Sequence, residues 1–199
     1  MVLSLRARAS SQEIAGTWGF GFWNDPFSLS LGLGGATRHL PALPNAAWFF
    51  MASPPNYLSL RDDLPSSGAL AATFRAPRLH AALLALGAPL LPLALLPPAF
   101  RALRGMGRRI VRQDAAEFEA DLTSWRDYRL HWSGARAGFA VDGRPVLETQ
   151  VVPGGPLGLV IWVDNQYAAL PPDGRVRFGT LPTPEPAWIE IEELVVEGD

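Results

Sequence analysis

Apolar and polar residues alternate along much of the chain. Between Val2 and Ala9, Leu3, Leu5, Ala7 and Ala9 fall on one face and Ser4, Arg6 and Arg8 on the other, which is the period of a half-buried strand. The run TWGFGFW from Thr17 to Trp23 repeats the pattern, with Trp18, Phe20 and Phe22 together and glycines among the residues opposite. A glycine on a sheet surface permits close packing or close approach of a ligand. Further strands are predicted at Phe27–Leu33, Ala46–Ala52, Tyr128–Trp132, Ala137–Val141, Leu157–Val163 and Trp188–Val196. Turn signals at Ser133-Gly134, Asp142-Gly143 and Asp173-Gly174 divide the second half. Glycine and proline, 19 of each, punctuate short apolar runs throughout, as in a many-stranded, all-β protein.

One stretch breaks this pattern. AALLALGAPLLPLALLPPAF, from Ala81 to Phe100, carries no charge and passes the length threshold of a membrane span, about 18 residues. Pro89, Pro92, Pro97 and Pro98 argue against a regular spanning helix, because each removes a backbone donor. Phe100 to Gln113 then takes helical period, with Arg101, Arg104, Arg108 and Arg112 on one stripe and Leu103, Met106 and Ile110 on the opposite one. Residues 77–121 therefore read as a mostly helical, leucine- and proline-rich insertion in a single domain covering 1–199. Three roles stay open for it. It is filler packing leucines on an open sheet, or a lid over a cleft for an apolar substrate, or a peripheral membrane anchor. In the last case Arg101, Arg104, Arg108, Arg109 and Arg112 would meet anionic head groups.

Composition narrows the chemistry. Of 199 residues, 48% are hydrophobic and only 18% charged, drier than an ordinary domain, whose charged share is about 25%. All 17 basic residues are arginine, so Schiff-base and lysine general-base mechanisms are excluded. The absence of cysteine removes disulfides, thiolate metal sites and thiol nucleophiles, and His39, His80 and His131 are too scattered for a histidine metal cluster. No metal or other cofactor is expected. A net charge of −2 does not suit a nucleic-acid binder. The first residues, MVLSLRARAS, lack the unbroken apolar core of a signal peptide, so a cytoplasmic location is the expectation, with membrane association through 81–112 open as one of the three roles of the insertion.

Residues 125–148, WRDYRLHWSGARAGFAVDGRPVLE, hold Tyr128, Trp132 and the Val141-Asp142-Gly143 turn in one hairpin unit. This resembles the Y-x-x-x-W…V-D-G hairpin of the concanavalin A-like lectin and glucanase superfamily, in particular the family 16 glycoside hydrolases. LGLVIWVDNQ at 157–166 is similar to the family's cleft-lining strand, and WIEIEELVVE at 188–197 to its final strand. VLSLRARAS and GTWGFGFWND resemble the edge strand and the Trp-rich cleft strand. The resemblance implies a jelly-roll sandwich of two antiparallel sheets with a ligand on the concave face. Those hydrolases carry Glu-x-Asp-x-x-Glu on the strand after the Trp-rich one, since retaining hydrolysis needs two carboxyl groups about 5 Å apart. Asn45 to Ala52 here contains no carboxylate, and the retaining mechanism is not expected. The resemblance also implies one or two strands before Val2, where this sequence holds only Met1; either the chain is truncated relative to the family or residues 77–121 cover that sheet surface.

Two constellations bear on function. Trp23-Asn24-Asp25 and Trp162-Val163-Asp164-Asn165-Gln166-Tyr167 each set an aromatic beside a carboxylate and a carboxamide, the chemistry of a sugar site. The plainer alternative makes the tryptophans core and the polar residues turn caps. With Trp48 these residues define the expected ligand site of a non-hydrolytic domain that binds a glycan, glycolipid or other amphipathic ligand. The competing expectation is an enzyme in the same cleft, with Asp25 and Asp164 as acid and base. His131 reads as a half-buried strand histidine, and Glu190, Glu192 and Glu193 as the solvated face of the last strand. Gly32, Gly34 and Gly35 form no phosphate loop.

Overall fold

The computed structural model describes residues 1–24, 42–78, 84 and 88–198. The strand expected at Phe27–Leu33, the glycines at 32–35, and Asp25, His39 and His80 lie outside them.

Twelve strands dominate the described residues. β1 (Val2–Ala9), β2 (Thr17–Trp23), β3 (Ala46–Ala52) and β4 (Gly68–Arg75) come first. A 3-10 helix (Ala88–Leu95) and α1 (Pro97–Ile110) follow, and then β5 (Arg112–Glu117), β6 (Arg126–Trp132), β7 (Ala137–Val141) and β8 (Arg144–Thr149). β9 (Gly158–Asp164), β10 (Gln166–Ala169), β11 (Arg177–Thr180) and β12 (Ile189–Glu197) complete the order. Two five-stranded antiparallel sheets, β12-β1-β6-β7-β8 and β5-β4-β3-β2-β9, form an all-β sandwich, with β10 and β11 as a separate pair. Among the described residues no helix is long and apolar enough to cross a membrane.

The period-two pattern decides which side chains meet between the sheets. Leu3, Leu5, Ala7 and Ala9 of β1, with Leu130 of β6 and Phe139 of β7, face Trp18, Phe20 and Phe22 of β2 and Phe49 and Met51 of β3. Phe49 is the centre: its ring lies 5.0 Å from that of Tyr128, 5.3 Å from Phe139 and 5.6 Å from Phe20. Each such side chain, taken fully out of water, contributes roughly 1.5–3 kcal/mol.

On the outer side of the first sheet, the acidic residues of β12 are paired. Arg8 Nε donates to Glu190 at 2.6 Å and Arg6 Nη1 to Glu192 at 2.5 Å, across the register Arg8↔Glu190 and Arg6↔Glu192. Both guanidinium groups also lie over the Trp125 ring, at 5.0 and 5.5 Å. The glutamates expected as a merely solvated face thus hold β12 to β1.

Within 77–121 the described residues divide into the 3-10 helix, α1 and β5, and β5 pairs with β4 from Arg75↔Arg112 to Leu70↔Glu117 as a full member of the second sheet. The helix starts at Pro97-Pro98, where a missing N–H costs nothing, and ends before the residue Val111, whose N–H donates to Gly107 O. It docks through its arginine stripe. Arg104, 5% exposed, donates from Nε to Leu170 O at 3.1 Å and from Nη2 to Ser59 O at 3.1 Å, and pairs with Asp62 at 2.7 Å. Arg108 Nη1 pairs with the same carboxylate at 2.9 Å. The apolar stripe is turned outwards, with Leu103 41% and Met106 56% exposed.

Candidate functional site

Residues of the second sheet that point away from the core are aromatic where a solvated face would be polar. In register, Gly19 lies between Phe50 and Trp162, and Gly21 between Trp48 and Val160. The glycines make room for the neighbouring rings. A Cβ on Gly19 would stand 2.6 Å from Trp162 Cη2, and one on Gly21, whose φ is +153°, 2.5 Å from Trp48 Cα. Trp48 is the hub of the cluster, with ring centroids 5.4 Å from Trp23, 5.5 Å from Trp162, 5.6 Å from Phe50 and 6.0 Å from Phe74. All five rings are half-buried. Trp23, Trp48 and Trp162, singled out in the sequence, therefore share one surface.

A short polar chain closes one end of this floor. Trp162 Nε1 donates to Thr17 Oγ1 at 3.1 Å, and Thr17 Oγ1 donates in turn to Asp164 Oδ1 at 3.1 Å. The Gln166 N–H donates to the same carboxylate oxygen at 3.0 Å. Burial raises the Asp164 carboxyl above its ordinary value, against the opposing effect of these donors. Asp164, Asn165 and Glu185 line a cleft of about 430 Å³ beside this end.

The other candidates have structural work. Asn24 donates from Nδ2 to Leu43 O at 2.9 Å and accepts from the Asn45 N–H at 2.9 Å. Asn165 Nδ2 donates to Leu181 O at 2.9 Å, pinning the loop after β11. Tyr167 belongs to the β10-β11 pair, where its ring covers Gly179. The two Trp-Asn/Asp motifs do follow strands of one sheet, yet antiparallel register sets Thr17 opposite Asp164 and Trp23 opposite Gly158. Six residues of strand separate the two ends, about 20 Å. His131 is exposed on β6.

Of the arginines expected to meet lipid, Arg104 is enclosed by Ser59, Leu170 and Asp62 and cannot reach a head group. Arg108 shares Asp62, Arg112 opens β5 and leaves the helical stripe, and Arg101 is exposed.

Sequence reasoning passed over Thr17, Phe50 and Phe74. Phe50 was accessible from the two-residue period that begins at Trp48, whereas Phe74 lies on a strand that gave no alternation. A larger concavity of about 620 Å³, at the same end of the strands but towards β4 and β5, is lined by Glu13, Trp18, Met51, Glu117, Asp121 and Leu122 among others. Asp121 there is committed to its own turn: hydrogen bonds from Ser124 and Thr123 hold its carboxyl at about 2. No three metal-ligating side chains come together among the described residues.

Chain and site thus define a two-sheet antiparallel sandwich with an aromatic outer face. No family model matches the sequence, and no curated protein matches it either.

Proposed function

We propose that this is a non-hydrolytic binding domain of the concanavalin A-like jelly-roll type, taking a glycan or glycolipid across the outer face of the β5-β4-β3-β2-β9 sheet. The observation that carries the reading is the continuous floor of Trp23, Trp48, Phe50, Phe74 and Trp162, fitted over Gly19 and Gly21. Such rings offer flat apolar area to the C–H faces of a sugar. The Thr17–Asp164 pair at its end supplies groups that orient hydroxyls. Where the resembling hydrolases carry carboxylates, the outward positions of β3 hold Trp48 and Phe50, which supports binding without cleavage. The test is titration with laminarin, cellohexaose and chitohexaose, followed by tryptophan fluorescence. Trp162→Ala should weaken binding by at least ~1 kcal/mol in protein that still folds, with a lowered melting temperature because the ring packs on Gly19, Trp48 and Phe50. Absence of binding to every one of these glycans, or unchanged affinity in Trp162→Ala, overturns the proposal.

A second reading, acid–base catalysis, is favoured by one observation: the raised carboxyl of Asp164 in a cleft that also holds Glu185. Reducing-sugar release from laminarin that disappears in Asp164→Asn would select it.

A further inference from the structure

The helical segment presents its polarity in reverse. An amphipathic surface helix ordinarily turns its apolar stripe to the core. In α1 the arginine stripe docks instead, because Ser59 O, Leu170 O and Asp62 offer acceptors only a guanidinium fork can bridge. Met106 stands about 160° around the axis from Arg104 and Leu103 about 100°. Their exposure continues into the preceding turn, which α1 contacts, with Leu93 49%, Leu95 61% and Leu96 56% exposed. The segment's own charge is one-sided. No Asp or Glu occurs between Arg75 and Asp114 in a chain whose net charge is −2. Arg101, Arg109 and Arg112 are exposed and have no ion-pair partner among the described residues. Arg109 flanks the apolar face, about 60° from Met106.

We propose that this face, built from Leu93, Leu95, Leu96, Leu103 and Met106, inserts into the interface of an anionic lipid bilayer, with Arg109 against the head groups. Interfacial binding draws on apolar area and on positive charge, both of which are adjacent on this surface. A second copy of the chain fits less well, since an isologous contact would set Arg109 against its own counterpart with no acid to neutralise it. Arg104 and Asp62 serve as the bracket that holds the leucines outwards. The proposal is independent of any ligand on the aromatic sheet.

The experiment is sedimentation of the full chain with vesicles of phosphatidylcholine alone and of phosphatidylcholine mixed with phosphatidylglycerol. Binding is expected to the mixed vesicles and not to the neutral ones, and high salt should release most of it. Leu95→Glu/Met106→Glu should weaken it at least ~10-fold, and Arg109→Gln by roughly 5-fold, at about 1 kcal/mol for the one arginine. All three positions are exposed, so circular dichroism and melting should match the parent. If the glutamate pair fails to fold, Leu95→Ser/Leu103→Ser replaces it, with the same direction expected. Failure of the parent to sediment with mixed vesicles, equal binding to neutral vesicles, or undiminished binding in the leucine variants overturns the proposal. A concentration-dependent dimer that these variants disperse, without vesicle binding, overturns it in favour of self-association.

Discussion

Arg104→Ala should release α1 from the domain. Two backbone carbonyls, Ser59 O and Leu170 O, would lose hydrogen bonds from a charged donor, each worth about 1.5–3 kcal/mol. Asp62 loses less, about 0–1 kcal/mol, because it is 42% exposed and keeps Arg108. The sum is about 3–7 kcal/mol. A 14-residue helix with two internal glycines is marginal in isolation, so most of its order comes from this docking. Native-state hydrogen exchange reads the quantity directly. At 1.4 kcal/mol per decade, α1 amides should exchange faster by roughly two to five powers of ten in Arg104→Ala, unless global unfolding takes over first. Arg104→Lys should recover only part of the protection, since an ammonium lacks the planar fork. Arg109→Ala, on the same helix but exposed, should stay within ~0.5 kcal/mol of the parent. A change under tenfold in Arg104→Ala, or an equal loss in Arg109→Ala, would refute the account.

Two further outcomes concern buried polar groups. The folded state holds the Asp164 proton more tightly than the unfolded chain, so this carboxyl favours folding at low pH and opposes it as pH rises through and just above the ordinary carboxylate range. Asp164→Asn keeps an acceptor for Thr17 and Gln166, and its urea midpoint should fall less steeply over that window and be no lower than the parent's at pH 7. An unchanged slope counts against it. Among the described residues the buried Tyr128 hydroxyl has no hydrogen-bond partner, and burial pushes its ionisation up. Tyr128→Phe should therefore be neutral or more stable by up to ~2 kcal/mol in thermal melting, and a loss beyond 1 kcal/mol would show that the hydroxyl has a partner.

β1, β2, β3 and β7 occupy the bounds expected from the sequence. β1 and β7 have one face in the core and one outside it, whereas β2 is buried along nearly its whole length and β3 is an unbroken apolar run. β4 was not legible: GALAATFR is buried on both faces at its centre, so apolar residues do not alternate, and alanine is a poor strand signal. β5, RQDAAE, carries charge instead of an apolar run and was absorbed into the expected insertion. The common face of Trp23, Trp48 and Trp162 followed from period and resemblance together. That the two polar motifs stand at opposite ends of the sheet depends on the antiparallel register of β2 and β9, strands far apart in sequence. Helical period placed Arg104 and Arg108 opposite Met106, but it ran on to Arg112, which the structure gives to β5. Which stripe docks is decided by Ser59, Asp62 and Leu170, residues whose approach no local pattern announces.

The position of β1 has a consequence for synthesis. It lies between β6 and β12, so Leu3 pairs with Leu130 on one side and with Val196 on the other. At 5–20 residues per second, a ribosome that has made β1 needs roughly 10 to 40 s more to make β12. During that interval the strand has at most one neighbour, and Leu3, Leu5 and Ala7 have no completed sheet to cover them. The nascent chain must therefore carry an open β1 edge until β12 emerges. Closure of the first sheet is a late event, set by the arrival of β12 and not by the speed of any local turn.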